Sequence, residues 1–247
     1  MAPFKTLKST IIPTVSALAF AATFSTPASA EMLWDRFSLS YLYGSDYKFV
    51  EDGEMSVVTI EHASGHSWGD NFLFIDRTMP SKGDSSFYGE LSPRLSIGKV
   101  SDSDLSFGPM TDLLVATTWE MGDGFDNYLY GIGTALSVPG FRYFNVNLYK
   151  ANNDLSLDDE QLTLNWGAPF NIGSSEFLID GFLDWSSSAE DHASEMNFTP
   201  QIKWNVGKLM NTKAPLYLGV EYSHWNNKFG VDGVNERNVS LLATWVF

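Results

Sequence analysis

From Met196 to Val206 every second residue is apolar (Met196, Phe198, Pro200, Ile202, Trp204, Val206), and the residues between them are Asn197, Thr199, Gln201, Lys203 and Asn205. A period of two belongs to a strand whose faces meet two different surroundings, not to a helix. The pattern recurs along the chain. Leu162, Leu164, Trp166 and Ala168 alternate with Gln161, Thr163 and Asn165, and Phe177, Ile179, Gly181, Leu183 and Trp185 with a set containing Asp180 and Asp184. Leu91, Pro93, Leu95 and Ile97 oppose Glu90, Ser92, Arg94 and Ser96, while Tyr128, Tyr130 and Ile132 oppose the small Gly131, Gly133 and Ala135. Leu113, Val115, Thr117 and Trp119 form a further row, and weaker repeats lie near 34–43, 55–64, 67–77, 141–150 and 216–225. The whole reads as about twelve strands of about ten residues, the length a tilted strand needs to cross hydrocarbon.

A secreted β-sandwich alternates too, with its core inside and water outside. Strand number and length favour a closed transmembrane antiparallel β-barrel, an all-β fold over residues 31–247. Trp119, Trp166, Trp185, Trp204 and Trp245 fall toward strand ends on the apolar face, as interfacial girdles do. Pro93 and Pro200 remove ladder donors and count slightly against regular ladders, though a bulge would tolerate them. The last strand, Val239, Leu241, Ala243, Trp245 and Phe247, ends in a C-terminal aromatic, like the signal that bacterial outer-membrane proteins present to their barrel-assembly machinery. Residues 1–30 read as a signal peptide: Lys5 and Lys8, an apolar run from Ile11 to Phe24, then Ala28-Ser29-Ala30 before Glu31.

The formal charge of −15 becomes −17 once Lys5 and Lys8 are lost, which argues against nucleic acid as a partner. With no cysteine there is no disulfide framework, and the four histidines lack ligand spacing, so neither a metal nor a cofactor is expected. An even strand count puts both termini on the periplasmic side. The outer loops then fall near 44–54, 78–86, 122–126, 151–159, 187–194 and 226–236, rich in carboxylates that can share divalent cations with lipopolysaccharide or remain simply solvated.

The strand near 67–77 is unusual, because Trp68, Asp70, Phe72, Phe74 and Asp76 share one face. Turning Asp70 and Asp76 toward lipid costs roughly 2 kcal/mol or more each near the midplane, so that face is expected in the lumen, together with Glu61, Glu90, Arg94, Asp180, Asp184, Lys203 and Glu221. Aromatics beside carboxylates offer a stacking surface and hydroxyl acceptors to a flat solute. Alternatively the rings only fill a narrow barrel. An acid-rich interior repels phosphorylated solutes. A catalytic reading rests on His62-Ala63-Ser64, which puts His62 and Ser64 on one face as in an outer-membrane lipid hydrolase, with nothing else in support.

The run Glu90 to Pro109, E-L-S-P-R-L-S-I-G-K-V-S-D-S-D-L-S-F-G-P, resembles the Tsx-type nucleoside channels. The run Glu61 to Arg77, E-H-A-S-G-H-S-W-G-D-N-F-L-F-I-D-R, is similar to their marine-bacterial, OmpK-like branch. The resemblance implies a twelve-stranded monomeric barrel with a narrow lumen that passes nucleosides and deoxynucleosides by passive diffusion. It implies Tyr47 as one base-binding aromatic and places Trp68, Asp70, Phe72, Phe74 and Asp76 on the lumen-lining third strand. A basic residue of the family is replaced near Glu221. The resemblance further implies a role of the outer loops as a phage or colicin receptor, alone or beside transport.

Overall fold

The computed structural model describes residues 31–247, and the expected leader lies outside the described residues. Twelve strands follow one another: β1 (Met32–Gly44), β2 (Met55–His66), β3 (Gly69–Pro80), β4 (Ser86–Ser96), β5 (Met110–Gly122), β6 (Phe125–Leu136), β7 (Tyr143–Asn152), β8 (Asp159–Ile172), β9 (Ser175–Ser186), β10 (Glu195–Asn205), β11 (Leu216–Asn226) and β12 (Glu236–Val246). Each pairs antiparallel with its sequence neighbour, and β1 pairs with β12 from Ser38↔Val246 to Gly44↔Ser240, which closes the barrel. Closure matters energetically: in lipid an open edge would leave N–H and C=O groups with nothing to bond. One short helix, α1 (Ile97–Ser101), interrupts the β4–β5 connection, and the Ser96 side chain caps it by accepting from Lys99 N.

The two faces of the strands settle which solvent is outside. On β12, Glu236, Asn238 and Ser240 are each 1% exposed, whereas Val239, Leu241 and Trp245 between and beyond them are 56%, 67% and 52% exposed. Around the wall Leu39, Tyr41, Val115, Tyr130, Ile132, Leu148 and Ile202 point outward in the same way. A soluble domain does not cover itself with a continuous apolar band while burying its hydroxyls and carboxylates. The inversion is that of a membrane barrel.

Aromatics gather at both rims. Trp119 stacks on Tyr128 (6.4 Å) at one end, with its Nε1–H donating to Asp126. At the end carrying the termini, Phe177 stacks between Phe170 (5.2 Å) and Trp204 (6.3 Å). Pro93 and Pro200 do not sit at bulges. Pro93 keeps its rung to Asn71 and Pro200 its rung to Gly181, and on the other side the ladder skips two places and resumes in the same register. Thr117 uses the gap by donating its hydroxyl to the Pro93 carbonyl, so that carbonyl keeps a partner where the ladder is interrupted.

Inside, small residues make room for large ones. Gly131 lies opposite Tyr149, and a Cβ there would come within 1.9 Å of the Leu148 carbonyl oxygen. Tyr149 thereby lies against Ala116, Leu129 and Ala151 as a small apolar cluster on the inner wall.

Candidate functional site

The lumen is built by register. On β3 the inward row is Asp70, Phe72, Phe74 and Asp76, and its partners on β4 are Arg94, Ser92, Glu90 and Tyr88. Because cross-strand partners share a face, these eight side chains form one patch. Arg94 closes its lower edge, gripping Asp70 through Nε (2.8 Å) and Nη2 (2.7 Å) and reaching Asn147 of β7 through Nη1 (3.4 Å). Such a two-pronged pair fixes both side chains.

Above it runs a line of rings: Phe72 to Phe74 (6.0 Å), Phe74 to Tyr88 (5.7 Å) and Tyr88 to Phe125 of β6 (6.3 Å). The line rises toward the end opposite the termini. Carboxylates flank it. Glu90 accepts from the Tyr88 hydroxyl (2.8 Å) and faces Glu120 directly across the β4–β5 ladder, where Glu120 accepts from Asn127 (2.9 Å). Asp76 accepts from Thr59 (2.6 Å) and Glu61 from Ser38 (2.9 Å). On the other wall Asp184 accepts from Thr163 (2.5 Å), Asp180 pairs with Lys203 (2.6 Å), and Glu221 accepts from Gln201 (2.7 Å).

The far mouth is narrowed by two loops that turn inward. Tyr47, in the β1–β2 connection, hydrogen-bonds Ser240 through its hydroxyl (2.7 Å). Burial pushes its phenol up to about 12. Glu236, at the start of β12, accepts from Lys228 Nζ (2.5 Å), Lys48 N (2.8 Å) and Ser223 Oγ (3.1 Å). The Lys228 ammonium lies 4.6 Å from the Trp225 ring centroid and 5.3 Å from that of Phe229. Burial pushes that ammonium down, and Glu236 pulls it back up.

The structure thus brings together Glu61, Asp70, Phe72, Phe74, Asp76, Glu90 and Arg94 on one wall, with Glu221 on the other and Tyr47 above. Trp68 stands apart. It precedes β3 at the β2–β3 turn and stacks on His66 (5.0 Å, 6° between planes), so it does not join Phe72 and Phe74. Ser64 Oγ pairs with His66 Nε2 (3.0 Å) rather than with His62, and the His62–Ser64 juxtaposition makes no dyad. Trp245 and Phe247 are outward at the β1–β12 seam, where Phe247 stacks on Trp245 (5.3 Å), contacts Phe37 (5.5 Å) and donates its N–H to the Phe37 carbonyl.

Sequence reasoning missed Tyr88, Phe125, Glu120, Trp225, Lys228 and Glu236. Tyr88 was within reach of the alternation, two residues before Glu90. Glu236 shares a period-two row with Asn238 and Ser240 and opens β12, rather than closing the loop expected near 226–236.

Known proteins share long stretches of this sequence. The outer membrane protein OmpK of Vibrio parahaemolyticus is 29% identical over 173 residues, covering 66% of this chain and 63% of the relative. The nucleoside-specific channel-forming protein Tsx of Klebsiella aerogenes is 26% identical over 192 residues, covering 64% and 62%. The chain therefore spans a little under two thirds of the length of the relatives it matches. Among solved structures the KdgM porin in complex with disordered oligogalacturonate superposes with a TM-score of 0.51 at 9% identity, over 86% of this chain and 99% of that one, a likeness of fold alone. The family model described as nucleoside-specific channel-forming protein, Tsx, matches residues 31–241. A channel family and not an enzyme family, it accounts for the closed barrel, the outer-membrane location and the polar lumen together, and this chain belongs to the Tsx family of outer-membrane proteins.

Proposed function

We propose that the barrel is a channel for passive diffusion of nucleosides and deoxynucleosides, with a weak binding site along its lumen. The observation that carries this reading is the line Phe72–Phe74–Tyr88–Phe125 with carboxylates on both sides of it. A flat base stacks on such rings for about 1–3 kcal/mol, and ribose hydroxyls donate to Glu90, Glu120 or Asp76. A site of that strength captures and releases, as passage requires. Tyr47 and Trp225 at the mouth offer the first ring contacts. The name of the Klebsiella relative, a nucleoside-specific channel-forming protein, supports the reading.

In planar bilayers, millimolar adenosine or thymidine is expected to reduce the ionic current, and an equally sized disaccharide to reduce it less. Equal effects of all three would refute a site for the base.

A second reading concerns the far rim, whose loops are tied into one surface: Leu157 N donates to Asp191, Asp154 N to Asn127, and Ala193 N to the Gly230 carbonyl. An ordered acidic crown of this kind supports a role in contacting lipopolysaccharide or a phage or colicin. Deleting 151–159 or 187–194 should then abolish adsorption while leaving the current intact, and adsorption that survives both deletions would refute it.

A further inference from the structure

The luminal charges do not cancel, and their arrangement is specific. Three luminal cations are each held by their own acid: Arg94 by Asp70, Lys203 by Asp180, and Lys228 by Glu236. Other inward carboxylates are anchored only by neutral donors. Glu90, Glu120 and Asp184 form one group, held by Tyr88, Asn127 and Thr163, with Glu90 and Glu120 directly opposite each other on the β4–β5 ladder. Glu61, Asp76 and Glu221 form a second group, held by Ser38, Thr59 and Gln201, with Glu61 and Asp76 on the neighbouring strands β2 and β3. Lys203, held by Asp180, reaches Glu221 only through Gln201, whose amide oxygen accepts from the lysine while its amide nitrogen donates to Glu221.

A neutral donor orients a carboxylate and leaves its charge uncompensated, with its remaining lone pairs turned to the pore. Two inward carboxylates outside these groups, each paired through its other oxygen, also keep one oxygen free. Asp180 is 9% exposed and Asp159 8% exposed, both on inward faces, yet Oδ1 of each has no hydrogen-bond donor among the described residues. A buried carboxylate oxygen without a donor is costly unless the lumen supplies a cation or water to it.

We infer that these two groups of carboxylates make this barrel a cation-selective pore, which conducts small monovalent cations in preference to anions. Charged rings in a low-dielectric wall concentrate the counter-ion and raise the barrier for the co-ion. This inference rests on the barrel being an open channel and not on its taking nucleosides.

The test is the zero-current potential of the full barrel in a bilayer under a KCl gradient, at neutral to mildly alkaline pH and with no nucleoside present. The wild type should favour K⁺ over Cl⁻ by about tenfold, the low end of such focusing. Glu90→Gln/Glu120→Gln/Asp184→Asn should bring the ratio close to one. Glu120→Gln alone, whose amide still meets Asn127, should lower it part of the way and serves should the triple variant fail to insert. A wild-type ratio near one, a preference for Cl⁻, or a ratio unmoved by either variant would overturn the inference. A cation-selective pore that adenosine does not block would instead refute the nucleoside reading and leave this one standing.

Discussion

Removing the Glu236 carboxylate should release the loops at the far mouth. In the folded chain Glu236 is 1% exposed and Lys228 6% exposed, and the carboxylate also accepts the Lys48 amide and the Ser223 hydroxyl. Glu236→Ala leaves a buried ammonium and a buried N–H without acceptors. Breaking a buried pair from one side costs about 3–5 kcal/mol. Part of that is recovered here, since burial already pushes Lys228 down and the lysine sheds its proton more readily once Glu236 is gone. The lower end, about 3 kcal/mol, is therefore the expected loss. The loss falls on the loops and not on the barrel, because the strand ladders are unaffected. A loss of that size raises the opened-loop population about a hundredfold.

Limited proteolysis of the barrel in lipid vesicles reads that population directly when reclosing outruns cleavage. Cutting within 45–54 and 227–235 should accelerate by about two orders of magnitude, while the transmembrane strands stay protected. Glu236→Leu/Lys228→Met, which removes both charges and keeps the volume apolar, should return much of the protection. A cleavage rate within about twofold of wild type in Glu236→Ala would refute the clasp.

Phe74→Ala interrupts the line of rings at its middle and should weaken adenosine block of the current by about five- to a hundredfold, the equivalent of one stacking contact. Raising the pH should loosen the same mouth. The Tyr47 phenol is raised to about 12 in the fold against about 10 unfolded, so its contribution is complete below pH 10 and is lost as the pH climbs toward 12. Cleavage of the 45–54 loop should rise in that window, and Tyr47→Phe should abolish the rise. Arg94→Met removes a side chain that spans from β4 to β7 and strands Asp70. Its urea midpoint should fall by about 1 M, from roughly 2 kcal/mol of charge-assisted bonding and an ordinary urea slope. Its single-channel conductance should increase.

The fold was legible because its chief determinant is local. Alternation around Ile202 or Leu164 states which side chains meet lipid, and no distant contact is needed to say so. The third-strand face was legible for the same reason, and Asp70, Phe72, Phe74 and Asp76 do point into the lumen. Trp68 was misplaced because counting by twos runs through the turn before Gly69, where the chain leaves the strand and the indole settles on His66. The prolines weigh less against a regular ladder than their missing amides suggest, because the ladder can skip a stretch and resume in register while a hydroxyl such as that of Thr117 takes a free carbonyl. The mouth was not legible at all. Tyr47 meets Ser240, and Lys48 meets Glu236, only because β1 and β12 close the barrel. Nothing local to either segment reports that contact.

The most direct test of the central claim is swelling of vesicles that carry the barrel, compared across solutes. Adenosine and thymidine should enter faster than a hexose, although the hexose is smaller, and adenosine monophosphate should lag behind adenosine. Rates that simply follow molecular size, or that match vesicles without the protein, would contradict a lumen built to bind and pass nucleosides.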